Sequence, residues 1–505
     1  MIERGPGSMV KDLEDLGILP GAERAGNWDA DLALTGLSVD SRETRPGHLF
    51  FALPGSRWHG ATFLPFAQRM GAAAAVTDAE GLRLAEAEAG ALGFPILVHP
   101  DPRRALALAA RRWYPGQPET MVAVTGTNGK TSVASFTRQI WERMGIAAVN
   151  FGTTGVEGAV AAPLAHTTPE PLTLHRLLAR LCAEGVSHGA MEASSHGLAQ
   201  RRLDGVTLRA AAFTNISRDH LDYHSGFDDY LRAKAGLFER VLPRDGTAVV
   251  NIDDAAGPAL AETAAARGQR VLRIGRGEGA DLRLLGQRFD GRGQDLRFAL
   301  GGGRHLVRLD LIGGFQGANA LLAAGLAWAT GAEPPDLVAG LEALRPVRGR
   351  MQRVAERRNG ATVYVDYAHT PDALAVALQA LRPHVMGRLI VVFGAGGDRD
   401  PGKRALMGAA AHAHADSAIV TDDNPRSEDP ARIRAAVLSA LPGGTEIGDR
   451  ATAILAGVDA LEPGDTLLIA GKGHESGQIV GDDILPFDDA EQASIAVAAL
   501  EGQGA

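Results

Sequence analysis

The stretch of sequence that decides the fold is Val122-Ala123-Val124-Thr125-Gly126-Thr127-Asn128-Gly129-Lys130-Thr131-Ser132. Its apolar first part predicts a strand, which runs into a glycine-rich turn with a helix opening directly after it. Such a turn aims backbone N–H groups and a helix N-terminus at an anion, with the Lys130 ammonium and a hydroxyl beside them. A plain strand-to-helix turn would need only one glycine. The pattern therefore predicts a phosphate-binding loop made of Gly126, Thr127, Asn128, Gly129, Lys130, Thr131 and Ser132, in which the Thr131 hydroxyl can hold a Mg²⁺ ion that bridges phosphate oxygens.

The composition excludes several classes of protein. The 505 residues are 45% hydrophobic and 22% charged, which is typical of a globular protein with about three domains. The formal net charge of −9, with no basic tail or stripe to offset it, argues against nucleic acid as a partner. No run approaches the roughly 18 apolar residues of a membrane span. The only cysteine, Cys182, fits a reducing compartment. We therefore expect a cytoplasmic monomer with small-molecule partners.

Shifts in the sequence pattern predict three domains, over residues 1–117, 118–343 and 344–505. The first ends in an Ala/Arg/Leu-rich helix over 103–113, and Pro115-Gly116-Gln117-Pro118 follows it as a linker. The second alternates strands with amphipathic helices, which implies a largely parallel sheet covered by helices. The third alternates more cleanly, with strands over 389–393, 417–421 and 466–470 and helices over 403–415 and 430–441. The predicted fold class is therefore α/β, ending in a doubly wound domain whose ligands bind at the carboxyl ends of its strands.

Two further motifs place polar groups after strands of the second domain. The first is Met191-Glu192-Ala193-Ser194-Ser195-His196-Gly197, and the second is Thr214-Asn215-Ile216-Ser217-Arg218-Asp219-His220-Leu221-Asp222-Tyr223-His224. Taken alone, the second motif could be a solvated loop. Three strand ends in one domain that all finish in metal-compatible groups predict a metal site at that edge instead.

These motifs resemble the Mur ligase family, which includes the folylpolyglutamate synthases. The resemblance rests on T-G-T-N-G-K-T over 125–131, M-E-x-S-S-H-G over 191–197 and T-N-x-S-R-D-H-L-D-Y-H over 214–224, and it extends from about Leu34 to Ala490. The last two motifs are similar to those of the MurE synthetases, which extend the peptidoglycan stem peptide. The resemblance implies an N-terminal mixed α/β domain for a uridine nucleotide, a central P-loop ATPase domain and a C-terminal Rossmann-like domain for an amino acid.

The resemblance also implies roles for residues around ATP and Mg²⁺. Lys234 would by itself be a lysine on a helix surface, but in the family the lysine of this motif is carbamylated, which turns a cation into a Mg²⁺ ligand. The implied metal ligands are Thr131, Glu192, His220 and Lys234 as its carbamate. Lys130, Glu192, His220 and Lys234 are the implied catalytic residues. Besides the phosphate loop, the implied ATP contacts are Asn319, Arg350, Asp366 and His369. Gln316 stands where the family has the first Asn of its G-x-F-N-x-x-N-A segment.

A second set of residues resembles the family's site for UDP-MurNAc-L-Ala-D-Glu. Asp40-Ser41-Arg42 is similar to a motif of the uridine-nucleotide domain, and His166-Thr167-Thr168-Pro169 is similar to the loop that contacts the muramoyl-dipeptide. His59-Gly60 stands where many relatives have Asp-Gly. The implied contacts to this substrate are Ser41, Thr167, Thr168, Ser194, Gln200 and Arg202.

The segment Thr421-Asp422-Asp423-Asn424-Pro425-Arg426 carries the prediction of the amino-acid substrate. In the family, D-N-P-R marks the enzymes that add meso-diaminopimelate, whose distal carboxylate a guanidinium fork can hold through two charge-assisted hydrogen bonds. With L-lysine in its place, Arg426 would face an ammonium, at a cost of about 2–5 kcal/mol. The implied contacts to diaminopimelate are Arg399, Asp423, Asn424, Pro425, Arg426, Gly471 and Glu475.

The predicted reaction is ATP-dependent amide-bond formation. The γ-carboxylate of D-Glu would attack the γ-phosphate of ATP to give an acyl phosphate, and the amine of meso-diaminopimelate would then displace phosphate. A lysine-adding MurE is disfavoured by Arg426, and a folylpolyglutamate synthase does not account for D-S-R, H-T-T-P or D-N-P-R. An inactive nucleotide-binding scaffold is the alternative from another class, and the intact Lys130, Thr131, Glu192, His220 and Lys234 speak against it.

Overall fold

The structure is a computed structural model, and it describes residues 10–28, 32–55, 58–89, 94–217, 219 and 223–502. Within these ranges, the strands form three main sheets of five, ten and six strands and one separate two-stranded hairpin. The fold is α/β, as predicted, because most neighbouring strands of the three sheets are parallel and helices connect them. No helix among the described residues is long and apolar enough to cross a membrane.

The first sheet lies near the N-terminus. Its strands are β1 Glu23–Ala25, β2 Gly36–Ser38, β3 His48–Phe51, β4 Ala74–Thr77 and β5 Ile96–Val98, and the helices of this region are α1 Leu13–Leu16, α2 Leu64–Arg69, α3 Ala79–Ala89 and α4 Pro102–Trp113. The strand order is β1-β5-β4-β3-β2, with only β1 antiparallel to its neighbour. His59 has a local role here, because its Nδ1 accepts the Ala61 N–H at 3.0 Å and its Nε2 lies 3.1 Å from Asp78. It caps the 3-10 turn Gly60–Phe63.

The ten-stranded second sheet holds the phosphate loop. Its strands are β6 Thr120–Thr125, β7 Ala148–Gly152, β8 Gly155–Gly158, β9 His188–Glu192, β10 Ala210–Phe213, β11 Thr247–Asn251, β12 Arg270–Gly275, β13 Leu282–Asp290, β14 Gly293–Leu300 and β15 Gly303–Leu309. The helices are α5 Lys130–Arg143, α6 Pro171–Ala183, α7 Ser195–Ala199, α8 Phe227–Gly236, α9 Gly257–Ala266, α10 Phe315–Ala329 and α11 Pro334–Glu342. The order is β15-β14-β13-β12-β11-β10-β6-β9-β7-β8, and β6 lies in its parallel part.

Strand β6 is buried on both faces, which explains its unbroken apolar sequence. Val122 and Val124 pack in one core with α5 and α10, whereas Met121 and Ala123 pack in another core with α6. The carboxyl ends of β6, β9 and β10 therefore meet at one edge of the sheet, where they place the three motifs next to one another.

The third sheet forms the C-terminal part. Its strands are β16 Gln352–Glu356, β17 Thr362–Asp366, β18 Leu389–Phe393, β19 Ser417–Val420, β20 Thr445–Glu446 and β21 Thr466–Ala470, followed by the hairpin strands β22 Gly477–Val480 and β23 Asp483–Pro486. The helices are α12 Pro371–Leu381, α13 Gly402–His414, α14 Pro430–Leu438, α15 Arg450–Asp459 and α16 Asp489–Leu500. The order is β16-β17-β21-β18-β19-β20, with only β16 antiparallel.

Helix α5 is bound to the segment that connects the second and third sheets. The Gln139 side chain donates to the Arg345 carbonyl at 3.2 Å and accepts the Arg345 N–H at 2.8 Å. Farther along this segment, Arg350 donates from Nη2 to the Thr131 hydroxyl at 3.2 Å. The two sheets are thus joined at the first turn of α5 and again two turns later.

Candidate functional site

Two positions in the phosphate loop require glycine. Gly126 has φ +149°, and Gly129, directly before α5, has φ +87°. A Cβ atom on Gly126 would overlap the Thr214 hydroxyl, and one on Gly129 would lie 2.6 Å from the Asn319 amide oxygen. The loop therefore turns tightly between the end of β10 and the start of α10, with its N–H groups at the N-terminus of α5.

Residues that follow β10 hold the phosphate loop through hydrogen bonds. The Asn215 side chain accepts the Asn128 N–H at 3.0 Å and donates to the Asn128 carbonyl at 3.1 Å. The Thr214 hydroxyl donates to the same carbonyl at 2.6 Å. Thr127 Oγ1 lies 3.0 Å from the Tyr230 hydroxyl. The second motif thus supports the phosphate loop directly, a contact that the sequence did not predict.

Two lysines converge on one carbonyl of the loop. Lys130 Nζ donates to the Gly126 carbonyl at 2.9 Å, and Lys234 Nζ donates to it at 2.7 Å. Lys234 is only 1% exposed, and its Nζ lies 4.4 Å from the centre of the Tyr230 ring. Burial lowers the pKa of both amines, and the charge of Lys130 lowers the pKa of Lys234 further, whereas the Asp219 carboxylate opposes the shift in both. This environment favours a neutral, nucleophilic Lys234 amine.

Glu192 ends β9, and Thr153 fixes its carboxylate. The Thr153 N–H donates to one carboxylate oxygen at 2.8 Å, and the Thr153 hydroxyl donates to the other at 3.1 Å. A Cβ on Gly152, the last residue of β7, would overlap the same carboxylate and displace it from this position. Glu192 is buried and oriented by these contacts.

The predicted dipeptide contacts lie next to Glu192. The Thr168 hydroxyl donates to the Glu192 carbonyl at 2.9 Å, and Thr167 Oγ1 lies 3.1 Å from Thr153 Oγ1. Arg202 donates to the Thr168 carbonyl at 2.5 Å and through two nitrogens to the Gln200 amide oxygen at 2.8 and 3.2 Å.

Other members of this predicted set are placed separately. The Ser194 hydroxyl caps α7 by accepting the Gly197 N–H at 3.1 Å. Ser41 lies apart from this group, buried in the 3-10 turn Ser41–Glu43 beside the first sheet.

The third sheet reaches the phosphate loop through Arg350. Its guanidinium stacks 4.5 Å from the centre of the Tyr367 ring while Nη2 contacts Thr131. Asp366 accepts the Met351 and Ala368 N–H groups at 2.7 and 2.9 Å, and burial raises its pKa. His369 donates from Nδ1 to the Tyr367 carbonyl at 2.9 Å, and burial lowers its pKa.

The predicted amino-acid contacts form a second polar group on the third sheet. Asn424 donates to the Glu475 carboxylate at 2.9 Å, and the buried Lys472 ammonium donates to both Asn424 and Glu475, at 2.9 and 3.2 Å. Asp423 packs against Gly471, which has φ +117° and has no room for a Cβ.

Arg426 and its neighbours complete this group. The guanidinium of Arg426 donates from Nη1 to the Gly397 carbonyl at 2.8 Å. Pro425 is buried between Asn424 and Arg426, and Arg399 is exposed on the nearby loop after β18. The loops that follow β19 and β21 thus carry the Arg426 guanidinium and the Glu475 carboxylate, respectively.

Mg²⁺ prefers hard oxygen ligands, and two of the predicted ligands supply them. The Thr131 hydroxyl and the Glu192 carboxylate are both buried at the same edge of the second sheet, whereas the Lys234 amine is a suitable ligand only once it carries a carboxylate. Among the described residues, no three His, Cys, Asp or Glu side chains come together in a metal-binding group. His220 lies outside the described residues.

The structure adds three residues to those selected from the sequence. Thr153 orients Glu192, Lys472 joins Asn424 to Glu475, and His474 packs its ring against Tyr367 with 5.0 Å between ring centres. Thr153 directly follows β7, so the rule that singled out Glu192, a polar residue after a strand, could have found it. Nothing in the sequence indicated the pairing of Lys472 with Asn424.

Three family models match the chain in succession. They are described as Mur ligase family, catalytic domain, over residues 33–114, as Mur ligase middle domain, over 124–327, and as Mur ligase, glutamate ligase domain, over 349–473. Together they cover most of the chain, and each falls on one of the three main sheets.

The chain is also similar to named relatives and to solved structures. It is 52% identical to UDP-N-acetylmuramoyl-L-alanyl-D-glutamate–2,6-diaminopimelate ligase of Bradyrhizobium diazoefficiens, covering 93% of this chain and 96% of that protein. A solved structure of a ligase with the same name is 33% identical, with a TM-score of 0.67 over 93% of this chain and 96% of the other. Mycobacterium tuberculosis folylpolyglutamate synthase complexed with ADP shares the fold, with a TM-score of 0.61 at 20% identity over 80% of this chain and 95% of the other. The chain therefore belongs to the Mur ligase family of ATP-dependent amide-bond-forming ligases.

Proposed function

We propose that this ligase joins meso-2,6-diaminopimelate to the γ-carboxylate of D-Glu in UDP-MurNAc-L-Ala-D-Glu, with ATP converted to ADP and phosphate. The reaction is a cytoplasmic step of peptidoglycan precursor synthesis. The names of the most similar relatives support the two substrates. The preference for the meso isomer and the roles of individual residues are parts of this proposal.

The observation that carries the proposal is the polar group beyond β19 and β21. A substrate with a carboxylate and an ammonium at its distal end would pair with the Arg426 guanidinium and the Glu475 carboxylate, respectively. Lys472 and Asn424 hold Glu475 in place by donating to its Oε2 atom. This arrangement leaves the amine at the opposite end of diaminopimelate to act as the nucleophile.

The phosphate loop is suited to the first chemical step, the attack of a carboxylate on ATP. A carboxylate that attacks a triphosphate brings two anions together, so catalysis depends on neutralising charge and on alignment. Lys130 and the N–H groups before α5 lie where the phosphates would bind, and Arg350 adds a second cation from the third sheet. Attack gives the D-Glu acyl phosphate and ADP, and the diaminopimelate amine then displaces phosphate.

Bound Mg²⁺ would supply further neutralisation of phosphate charge, with Thr131, Glu192, His220 and carbamylated Lys234 as its protein ligands. Thr153 holds the Glu192 carboxylate in one orientation through two hydrogen bonds. The burial that lowers the pKa of Lys234 favours the amine that adds to carbon dioxide, and this supports the carbamate.

The experiment that tests the proposal measures phosphate release from ATP in the presence of UDP-MurNAc-L-Ala-D-Glu, with meso-diaminopimelate and L-lysine compared. We expect release with diaminopimelate only. Lys130→Ala should abolish it because the phosphate loop loses its cation, whereas Lys11→Ala, which changes a lysine outside the site, should leave it intact. Arg426→Ala should weaken it, and Arg432→Ala, which removes an exposed arginine on α14, serves as the matched control.

The other outcomes distinguish the alternatives. Release with lysine in place of diaminopimelate would support the ligase activity but contradict the substrate preference assigned to Arg426. Release with neither amino acid, from a folded protein that binds ATP, would favour a folate substrate instead. Partner binding that survives Lys130→Ala without any turnover would favour a scaffold.

A further inference from the structure

The hairpin of β22 and β23 lies outside the six-stranded sheet and is largely exposed. Ile484 on β23 is 71% exposed, so the hairpin contributes little to the core. Its first strand nevertheless runs beside the loop after β19, and Val480 forms a parallel bridge with Arg426. The contacts of this exposed element are therefore concentrated on the loop that carries the predicted amino-acid contacts.

Four hydrogen bonds join the hairpin to that loop. The Arg426 N–H donates to the Ile479 carbonyl at 3.1 Å, and the Gly481 N–H donates to the Arg426 carbonyl at 2.8 Å. The Ile479 N–H donates to the Asn424 side chain at 2.9 Å. Gln478 Nε2 donates to the Asp423 carbonyl at 2.8 Å, and it is the only side chain of the hairpin among these donors. The hairpin thus fixes three residues of the D-N-P-R loop.

Arg426 needs this support because its backbone is strained. Its φ is +53°, in the left-handed region that a long side chain rarely adopts. Residues persist in such conformations only when the surrounding structure fixes them. The two backbone bonds from β22 and its turn hold Arg426 in this conformation, and its guanidinium then reaches the Gly397 carbonyl.

We propose that the hairpin Gly477–Pro486 is a specificity element for the amino-acid substrate, with Gln478 as a positioning residue that acts on Arg426 through its bond to the Asp423 carbonyl of the same loop. This inference rests on the proposed function, since it assigns Arg426 to the distal carboxylate of diaminopimelate. The hairpin holds the loop so that the guanidinium stays at the position where that carboxylate binds. Gln478 is therefore assigned to positioning the loop, through the Asp423 carbonyl, and not to the chemical steps.

The test compares steady-state kinetics of Gln478→Ala and Gln478→Met, which both remove the donor to Asp423. We expect the KM for meso-diaminopimelate to rise at least tenfold in each variant, with KM for ATP and for UDP-MurNAc-L-Ala-D-Glu within twofold of wild type. Ile484→Thr is the matched control. It changes an exposed residue of the same hairpin, and threonine, like isoleucine, favours a β-strand. Its three KM values should not move.

A double-variant comparison separates positioning from general damage. If Gln478 acts through Arg426, then Gln478→Ala should add less than twofold to the KM for diaminopimelate in an Arg426→Ala background. Independent, multiplicative losses would overturn the inference, as would an unchanged KM for diaminopimelate or a parallel rise in all three KM values. Wild-type protein that does not turn over diaminopimelate would refute the proposed function instead.

Discussion

Asp489→Asn should destabilise the C-terminal part of the chain severely. Asp489 is the first residue of α16, and it accepts two hydrogen bonds from Arg450, the first residue of α15, at 2.7 Å each. Both side chains are 0% exposed. Removing the charge of one partner leaves a buried guanidinium without compensation, which typically costs about 3–5 kcal/mol.

Arg450 also donates to backbone carbonyls, and these bonds determine how much stability is lost when both Arg450 and Asp489 are replaced. Its Nη2 also donates to the Ala470 carbonyl at 3.0 Å, and its Nη1 donates more weakly to the Asp422 carbonyl at 3.4 Å. Replacing the pair by Arg450→Met with Asp489→Leu removes both charges but also removes these donors from the two carbonyls, at about 1–3 kcal/mol. The double variant should therefore be less destabilised than Asp489→Asn alone.

The loss of stability can be measured by native-state hydrogen exchange of the amides of β21, the strand whose last residue Arg450 contacts. A loss of 3–5 kcal/mol corresponds to exchange that is roughly 150- to 5,000-fold faster. Asp488→Asn is the matched control, because asparagine still caps α16 and only the partly exposed pair with Arg348 is lost, worth at most about 1 kcal/mol. Exchange in Asp489→Asn that is less than tenfold faster than in wild type, or a double variant that exchanges faster than the single one, would refute this reasoning.

Three further predictions concern the site and its surroundings. Thr153→Val removes the hydroxyl that holds Glu192, so the Mg²⁺ concentration for half-maximal activity should rise about 10- to 100-fold in a titration, and an unchanged value would contradict the role of Thr153. A carbamate on Lys234 should give a ¹³C resonance in protein equilibrated with labelled bicarbonate, and the resonance should be absent in Lys234→Met; equal signals from both proteins would exclude this site. Burial lowers the pKa of His175 to about 4, below the value of about 6.5 in unfolded chains. Between these two values the unfolded state binds more protons than the folded state, so stability should fall as pH decreases from 6.5 towards 4. Urea unfolding at pH 7 and pH 5 should show a smaller pH effect in His175→Gln than in wild type, and an equal effect would refute it.

The sequence predicted most of the regular structure because periodic apolar patterns reflect burial. The predicted strands over 389–393 and 466–470 are present with the same bounds, and the predicted helix over 403–415 is Gly402–His414. Before the third sheet the chain forms two successive helices, Phe315–Ala329 and Pro334–Glu342. Gly331, with φ +105°, and the proline at the start of the second helix explain the break.

The candidate site could be predicted only in part. Motifs placed Lys130 in the loop after β6 and Glu192 at the end of β9, since these positions follow from local sequence, and the catalytic roles of both residues stay predictions. The partners of these residues depend on chain packing, as Arg350 and Thr131 are 219 positions apart. The hairpin of β22 and β23 escaped the sequence analysis because its apolar residues are exposed and carry no burial signal.

The two contacts of α5 with the connecting segment have a consequence for inhibition. Thr131 and Gln139 are eight positions apart, or about 12 Å along a stiff helix, so the segment cannot slide past α5 without stretching one of the two contacts. A small molecule that separates Gln139 from Arg345 would draw Arg350 away from the phosphate loop without entering the nucleotide site. Because Arg350 is a proposed ATP contact, such a molecule and ATP would weaken each other's binding although they occupy different sites.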